Sequence, residues 1–248
     1  MSINNNPVAF ITGAARRIGA SIARNLHFHN YNVVIHYHHS SSEAFALAKE
    51  LNSLRPDSAF CIHGDLLNTA LLKDLVQESA QVWQRLDVLV NNASTFYPTP
   101  IGEINEVQWG DLMGSNLKAP LFLTQAAMPY LKQQKGNVIN IIDIHAKRPM
   151  LNHSVYSIAK AGLAMLTKSM ALELAPEIRV NGISPGANIW PEGQNQIDSE
   201  KQIKLVAKIP LKRVGEPEDI ADSIKFLLDN TYITGQIIAI DGGKSLLG

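Results

Sequence analysis

Short β-branched runs alternate along the chain with longer stretches in which apolar residues recur every three or four positions. Val8–Ile11 reads as a strand, and the segment after it, with Ile18, Ile22 and Leu26 on one face, reads as a helix to His29. The alternation continues with strands predicted at Asn32–His36, Ser58–His63, Leu86–Val90, Val138–Ile142, Arg179–Ile183 and Gln236–Ile240. Helices are predicted at Ser42–Leu54, Leu71–Trp83, within Asp111–Gln133, at Val155–Ala175 and at Pro217–Leu228. A polar cap near Ser42 and Glu43 in the first turn favour the second helix. Strands separated by helices need crossover connections, and nearly unbroken apolar strands suit a parallel sheet covered on both faces. The fold expected is an α/β, doubly wound, Rossmann-type parallel sheet of about seven strands with helices on both faces. No linker, repeat or low-complexity tract divides the chain, so residues 1–248 are expected to form a single domain. Ala187–Ser199 lacks periodicity and is expected to be a loop over the substrate site.

Composition narrows the partners. The 248 residues carry 22 Lys+Arg and 22 Asp+Glu, with 46% apolar residues, so the chain has no basic surplus for nucleic acid or anionic lipid. No run approaches the length of a membrane span, and Met1–Asn6 has neither the charge nor the apolar core of a signal peptide. The single cysteine, Cys61, lies in the apolar run Ala59–Ile62 and is expected in the core; it allows no internal disulfide. These features together point to a cytoplasmic protein.

Two groups of residues carry candidate chemistry. Gly13, Arg17, Ile18 and Gly19 follow the first strand and open the first helix, where free amides and a positive dipole suit a pyrophosphate. A plain strand–turn–helix is the alternative. The second strand runs into His36, Tyr37, His38, His39 and Ser40 with no acid before Glu43, a donor-rich end that, with Arg17, suits a ribose phosphate and hence NADP(H); a solvated polar turn is the alternative. Asp65, followed by Leu66, could meet the adenine or merely close a turn. At the other end, Tyr156 and Lys160 share a helix face, and an ammonium beside a phenol favours the phenolate; an ordinary surface helix is the alternative, and the one the spacing alone favours. Asp143 ends a strand, where open α/β sheets bind ligands.

The glycine motif, Asn91-Asn92-Ala93, Asn116, Tyr156-x-x-x-Lys160, Pro185-Gly186 and Asp241-Gly242-Gly243 resemble the short-chain dehydrogenase/reductase family along nearly the whole chain. Arg17 stands at the middle glycine of the first motif and Asp143 at the family's catalytic serine. Ser94-Thr95-Phe96-Tyr97-Pro98 follows Asn92-Ala93, and the second strand runs His36-Tyr37-His38. This combination resembles the pteridine reductase branch.

The resemblance implies an NADPH-dependent reductase of oxidised pteridines such as dihydrobiopterin, dihydromonapterin or dihydrofolate. Tyr156 would donate the proton, supported by Asp143. Lys160 would hold the nicotinamide ribose and depress the phenol's pKa, and Asn116 would complete a water-linked relay. Phe96 would stack on the pterin, and Ser94 and Arg17 would contact cofactor phosphate and substrate. Asn92, Ala93, Pro185 and Gly186 would line the cofactor, no metal is implied, and the chain would assemble as a homotetramer through its long helices. His39 departs from the branch's cation, and Asn188 from a common serine. The rival classes are a short-chain carbonyl or 3-oxoacyl reductase and a catalytically silent NADP-binding regulatory protein.

Overall fold

In a computed structural model, residues 5–187 and 198–247 are described, and most of the segment expected as the substrate loop lies outside them. Seven parallel strands form one sheet in the order β3-β2-β1-β4-β5-β6-β7. They are β1 (Val8–Ile11), β2 (Asn32–Tyr37), β3 (Ala59–His63), β4 (Val88–Asn91), β5 (Asn137–Ile141), β6 (Arg179–Pro185) and β7 (Ile237–Ile240). The helices are α1 (Arg17–Phe28), α2 (Ser41–Leu54), α3 (Leu72–Gln81), α4 (Glu106–Met113), α5 (Ala119–Gln133), α6 (Ser154–Leu174), α7 (Ser199–Ala207) and α8 (Pro217–Asp229).

Alternate strand residues feed two cores, as the period of two requires. Ala9, Ile11, Val33, Ile35, Val88 and Val90 pack with Ile22 and Leu26 of α1, Leu47 and Leu51 of α2, and Ile220 and Ile224 of α8. Val8, Phe10, Val34, Leu89 and Val138 face the other way, against Leu75 of α3, Leu123, Ala127 and Leu131 of α5, and Ala171 of α6. Strand order reverses between β1 and β4, and ligand crevices form outside the carboxyl ends of strands at such a point.

The expected elements are present, with corrections. β4 starts at Val88, because Asp87 turns its carboxylate onto the Val8 amide (2.8 Å) and pairs with Arg85. α2 begins at Ser41, and neither the expected cap near Ser42 nor the cap residue Ser40 makes a side-chain capping bond. The helix expected from Leu71 is preceded by a 3₁₀ turn, Thr69–Leu71, and the Asp111–Gln133 stretch is divided by a π-turn, Gly114–Lys118. α7 was not expected; none of its residues is buried, so no core-facing stripe announced it. Cys61, on the strand that ends the sheet, is only partly buried against the first core, and burial still pushes its thiol up to about 11. No described helix is long and apolar enough to cross a membrane.

Candidate active site

The crevice between β1 and β4 is pinned from both sides. Thr12, at the end of β1, accepts the Asn92 and Ala93 amides on its hydroxyl at 2.9 and 3.0 Å. The Asn92 side chain returns two bonds to the Thr12 and Gly13 carbonyls. Gly13 has φ +61°, and a Cβ there would stand 3.0 Å from the Ala93 Cα, so only glycine closes this turn. A Cβ on Gly19 would fall 2.4 Å from the Gly13 carbonyl oxygen. Beyond the turn, α1 starts with no side-chain cap and no acid in its first turn, a helix end suited to an anion. Arg17, exposed, has φ +54°: an arginine holds the left-handed conformation of the glycine it replaces.

The end of β2 divides into two parts. His36 is 1% exposed; its Nδ1 accepts the Gly13 amide at 3.1 Å and its Nε2 donates to the Gly64 carbonyl at 3.1 Å. Both nitrogens are engaged, and burial lowers its pKa to about 4. The expectation that His36 offers a donor to a phosphate is therefore corrected: the neutral ring props the glycine turn. His38 and His39 are exposed, with ring centroids 3.7 Å apart, and His63 of β3 approaches His38 at 6.0 Å. Tyr37 is in ring contact with Phe45 and His63, and Ser40 is the N-cap residue of α2. Asp65 is exposed and accepts the Leu67 amide at 2.9 Å, closing a turn, while Leu66 is buried in the second core.

At the far end of the crevice, Asp143 and Tyr156 meet directly. The phenol donates to Asp143 Oδ2 at 2.8 Å, and the His145 amide fixes Oδ1 at 2.8 Å. Lys160, 2% exposed, donates to the Ile141 carbonyl at 2.9 Å and lies over the Tyr156 ring, 5.6 Å from its centroid. α6 is held in place beneath by a buried chain, Asn91 to Asn140 (2.8 Å) to Thr167 (2.9 Å). Burial and the Asp143 charge drive the Tyr156 pKa well above its ordinary value, and the nearby Ser94 hydroxyl opposes them. The expected depression by Lys160 is thus reversed in the protein on its own. Burial lowers Lys160 itself to about 8, against the pull of Asp143.

Asn116 is brought to Ser94. It sits in the π-turn, its Oδ1 accepts from Ser94 Oγ at 2.6 Å, and its amide donates to the Thr95 and Leu112 carbonyls. Turns of this kind inside helices are frequent at functional sites. Phe96 stands edge-on to Tyr156 (4.9 Å, 75°) and stacks flat on His153 (4.7 Å, 15°). Pro185 ends β6, and the Gly186 amide bonds the Ile240 carbonyl at 3.0 Å, closing that side of the crevice. Asn188 lies outside the described residues. Asn140, Thr167 and His153 were missed by sequence reasoning; for the first two a polar residue inside or beside an apolar run was the available signal.

A family model described as enoyl-(acyl carrier protein) reductase matches residues 13–245. The chain belongs to the short-chain dehydrogenase/reductase family. Among its relatives in the family is pteridine reductase 1 of Leishmania tarentolae, 39% identical over 97% of this chain and 96% of the relative. The 3-oxoacyl-acyl-carrier-protein reductase FabG of Staphylococcus epidermidis is 35% identical over 96% of this chain and 98% of its own length. Its counterpart in Staphylococcus aureus is also 35% identical, over 95% and 96%. The protein is accordingly an oxidoreductase of the short-chain family, working with a nicotinamide cofactor.

Proposed function

We propose that the protein is an NADPH-dependent reductase of oxidised pteridines, of the dihydrobiopterin, dihydromonapterin or dihydrofolate kind. The observation that carries this is the 2.8 Å bond between Tyr156 and Asp143 with the Phe96 ring edge-on beside it. A phenol, a carboxylate and an aromatic face thereby converge at one end of the crevice. A flat heterocycle stacked on Phe96 lies next to both proton-handling groups, and offset stacking favours that pose.

The residues fit a dinucleotide. The uncapped start of α1 and Arg17 suit the phosphates, and the Lys160 ammonium, with three donors of which Ile141 takes one, suits ribose hydroxyls. The absence of an acid at the end of β2, with His38, His39 and Ser40 there instead, supports NADPH over NADH. When bound, the reduced nicotinamide supplies the hydride. Tyr156 keeps its proton at neutral pH, because its surroundings disfavour the phenolate; the Lys160 ammonium over its ring offsets the charge left behind when that proton passes to the ring nitrogen of the C=N bond being reduced. Asp143 orients that hydroxyl, and Ser94, tied to Asn116, stands beside it.

The identity to FabG supports a second reading, a 3-oxoacyl reductase. Its substrate oxygen gains negative charge in the transition state and calls for a neutral donor; the Asp143 carboxylate opposes that charge. NADPH oxidation measured against dihydrobiopterin, dihydromonapterin, dihydrofolate and an aliphatic 3-oxoacyl thioester separates the two. Turnover of at least one pteridine is expected, reduced roughly 10²-fold or more in Tyr156→Phe with NADPH affinity retained. Turnover of the thioester alone overturns the proposal.

A further inference from the structure

His153 has no part in the chemistry described above, yet it lies flat against Phe96, whose ring stands edge-on to Tyr156. Its ring and that of Phe96 are 4.7 Å apart and 15° from parallel. The two residues come from different loops, and the loops are clasped. Thr99, fully buried, donates its amide to the Asn152 carbonyl, pairs with His153 in an isolated parallel bridge, and accepts the Val155 amide on its hydroxyl. On the His153 side, the His153 amide bonds the Met150 carbonyl, and the Ser157 hydroxyl accepts the Met150 amide. The His153 ring is turned by a 2.9 Å bond from Nδ1 to the Leu151 carbonyl, which selects the tautomer protonated at Nδ1. The three rings therefore run in series from the start of α6 to the acid: His153 flat on Phe96, Phe96 edge-on to Tyr156.

We propose that His153 is a positioning residue for flat substrates: its stacked ring sets the plane of Phe96, and that plane sets how an aromatic heterocycle lies beside Tyr156. The inference deepens the pteridine reading and rests on it. It requires the ring of His153, not its charge and not its bond to Leu151, since stacking is what touches Phe96.

Two variants separate these features. His153→Phe keeps a ring and loses the bond; His153→Asn keeps a side-chain donor for the Leu151 carbonyl and loses the ring. Steady-state kinetics with saturating NADPH on the pteridine that wild type reduces are expected to show a KM raised roughly two- to tenfold in His153→Asn, the span of an aromatic pair. In His153→Phe the KM stays within about twofold of wild type, since the stack survives. NADPH affinity is unchanged in both, and the Phe96→Leu/His153→Asn double variant is no worse than Phe96→Leu alone, because the ring acts only through Phe96. An unchanged KM in His153→Asn, an equal loss in His153→Phe, or additive losses in the double variant overturns this inference and leaves the pteridine assignment standing. A wild-type protein that reduces no pteridine overturns the assignment and this inference together.

Discussion

Two buried titratable side chains make the site's pH behaviour predictable at the scale of single residues. His36 has its pKa lowered from 6.5 to about 4 by burial, so the folded state takes up its proton later than the unfolded chain does as pH falls. Stability from this ring is therefore fully present above pH 6.5 and drains away between there and about 4, by roughly 3 kcal/mol. Urea unfolding of wild type and His36→Gln across that window should show a shallower acid slope in the variant; parallel slopes would remove His36 as the cause. Lys160 works in the opposite region of the scale. Burial lowers it to about 8, so its cation, present at neutral pH, is lost as pH rises through 8, well before an exposed lysine would lose it. If that cation holds the cofactor's ribose, kcat/KM for NADPH falls above about pH 8; a profile flat to pH 10 would show that its charge is dispensable. The Asp143–Tyr156–Lys160 group was legible only through the family resemblance, since a tyrosine and a lysine four apart also occur on ordinary surface helices, and the strand end by itself pointed to Asp143 alone. The stack of Phe96 on His153 was not, since it joins loops far apart in sequence through a clasp that leaves no periodic trace.

Among the elements, the turn between β1 and α1 carries a conflict that experiment can separate. Arg17 keeps a left-handed backbone that costs an L-residue about 1–2 kcal/mol, while its side chain is, with that of Arg16, one of two cations at the phosphate-binding turn. Arg17→Ala retains the backbone cost and Arg17→Gly relieves it. Both should lose NADPH affinity more than NADH affinity, while Arg17→Gly is more stable than Arg17→Ala by about 1 kcal/mol in denaturant titration. Equal stabilities would mean that the turn relaxes away from φ +54° once the arginine is gone. Strands and most long helices were readable to within a residue or two, because buried parallel strands and amphipathic helices leave strong periodic signals, whereas α4 begins at Glu106 and α5 at Ala119, on either side of the expected start at Asp111. The π-turn at Gly114–Lys118 was hidden within a helical pattern that one extra residue per turn barely alters, and α7 hides because nothing on it is buried. His36 misled for a related reason: a histidine at a strand end looks like a ligand donor until its neighbours Gly13 and Gly64 are known.

At the scale of the whole molecule, two of the exposed apolar surfaces among the described residues bear on assembly. On α6, Ile158, Met165 and Leu172 recur every seven residues with exposures of 50, 62 and 83%, a stripe along one helix face. At the other place, β7 ends the sheet with its backbone edge unpaired by any described strand, and Phe226 of α8 beside it is 53% exposed. A closed tetramer built from twofold contacts needs two distinct self-complementary surfaces, whereas a dimer needs one. We propose, as the family resemblance implies, that four copies assemble, with α6 against α6 in one contact and β7 with α8 in the other. Each contact can then be broken alone. Met165→Asp places a charge in the first and Phe226→Asp in the second, and each single variant should sediment as a dimer, the pair together as a monomer. Light scattering coupled to size-exclusion chromatography measures this directly. A wild-type monomer, or a Met165→Asp protein that keeps the wild-type mass, would show that the α6 stripe is covered by something other than its own copy.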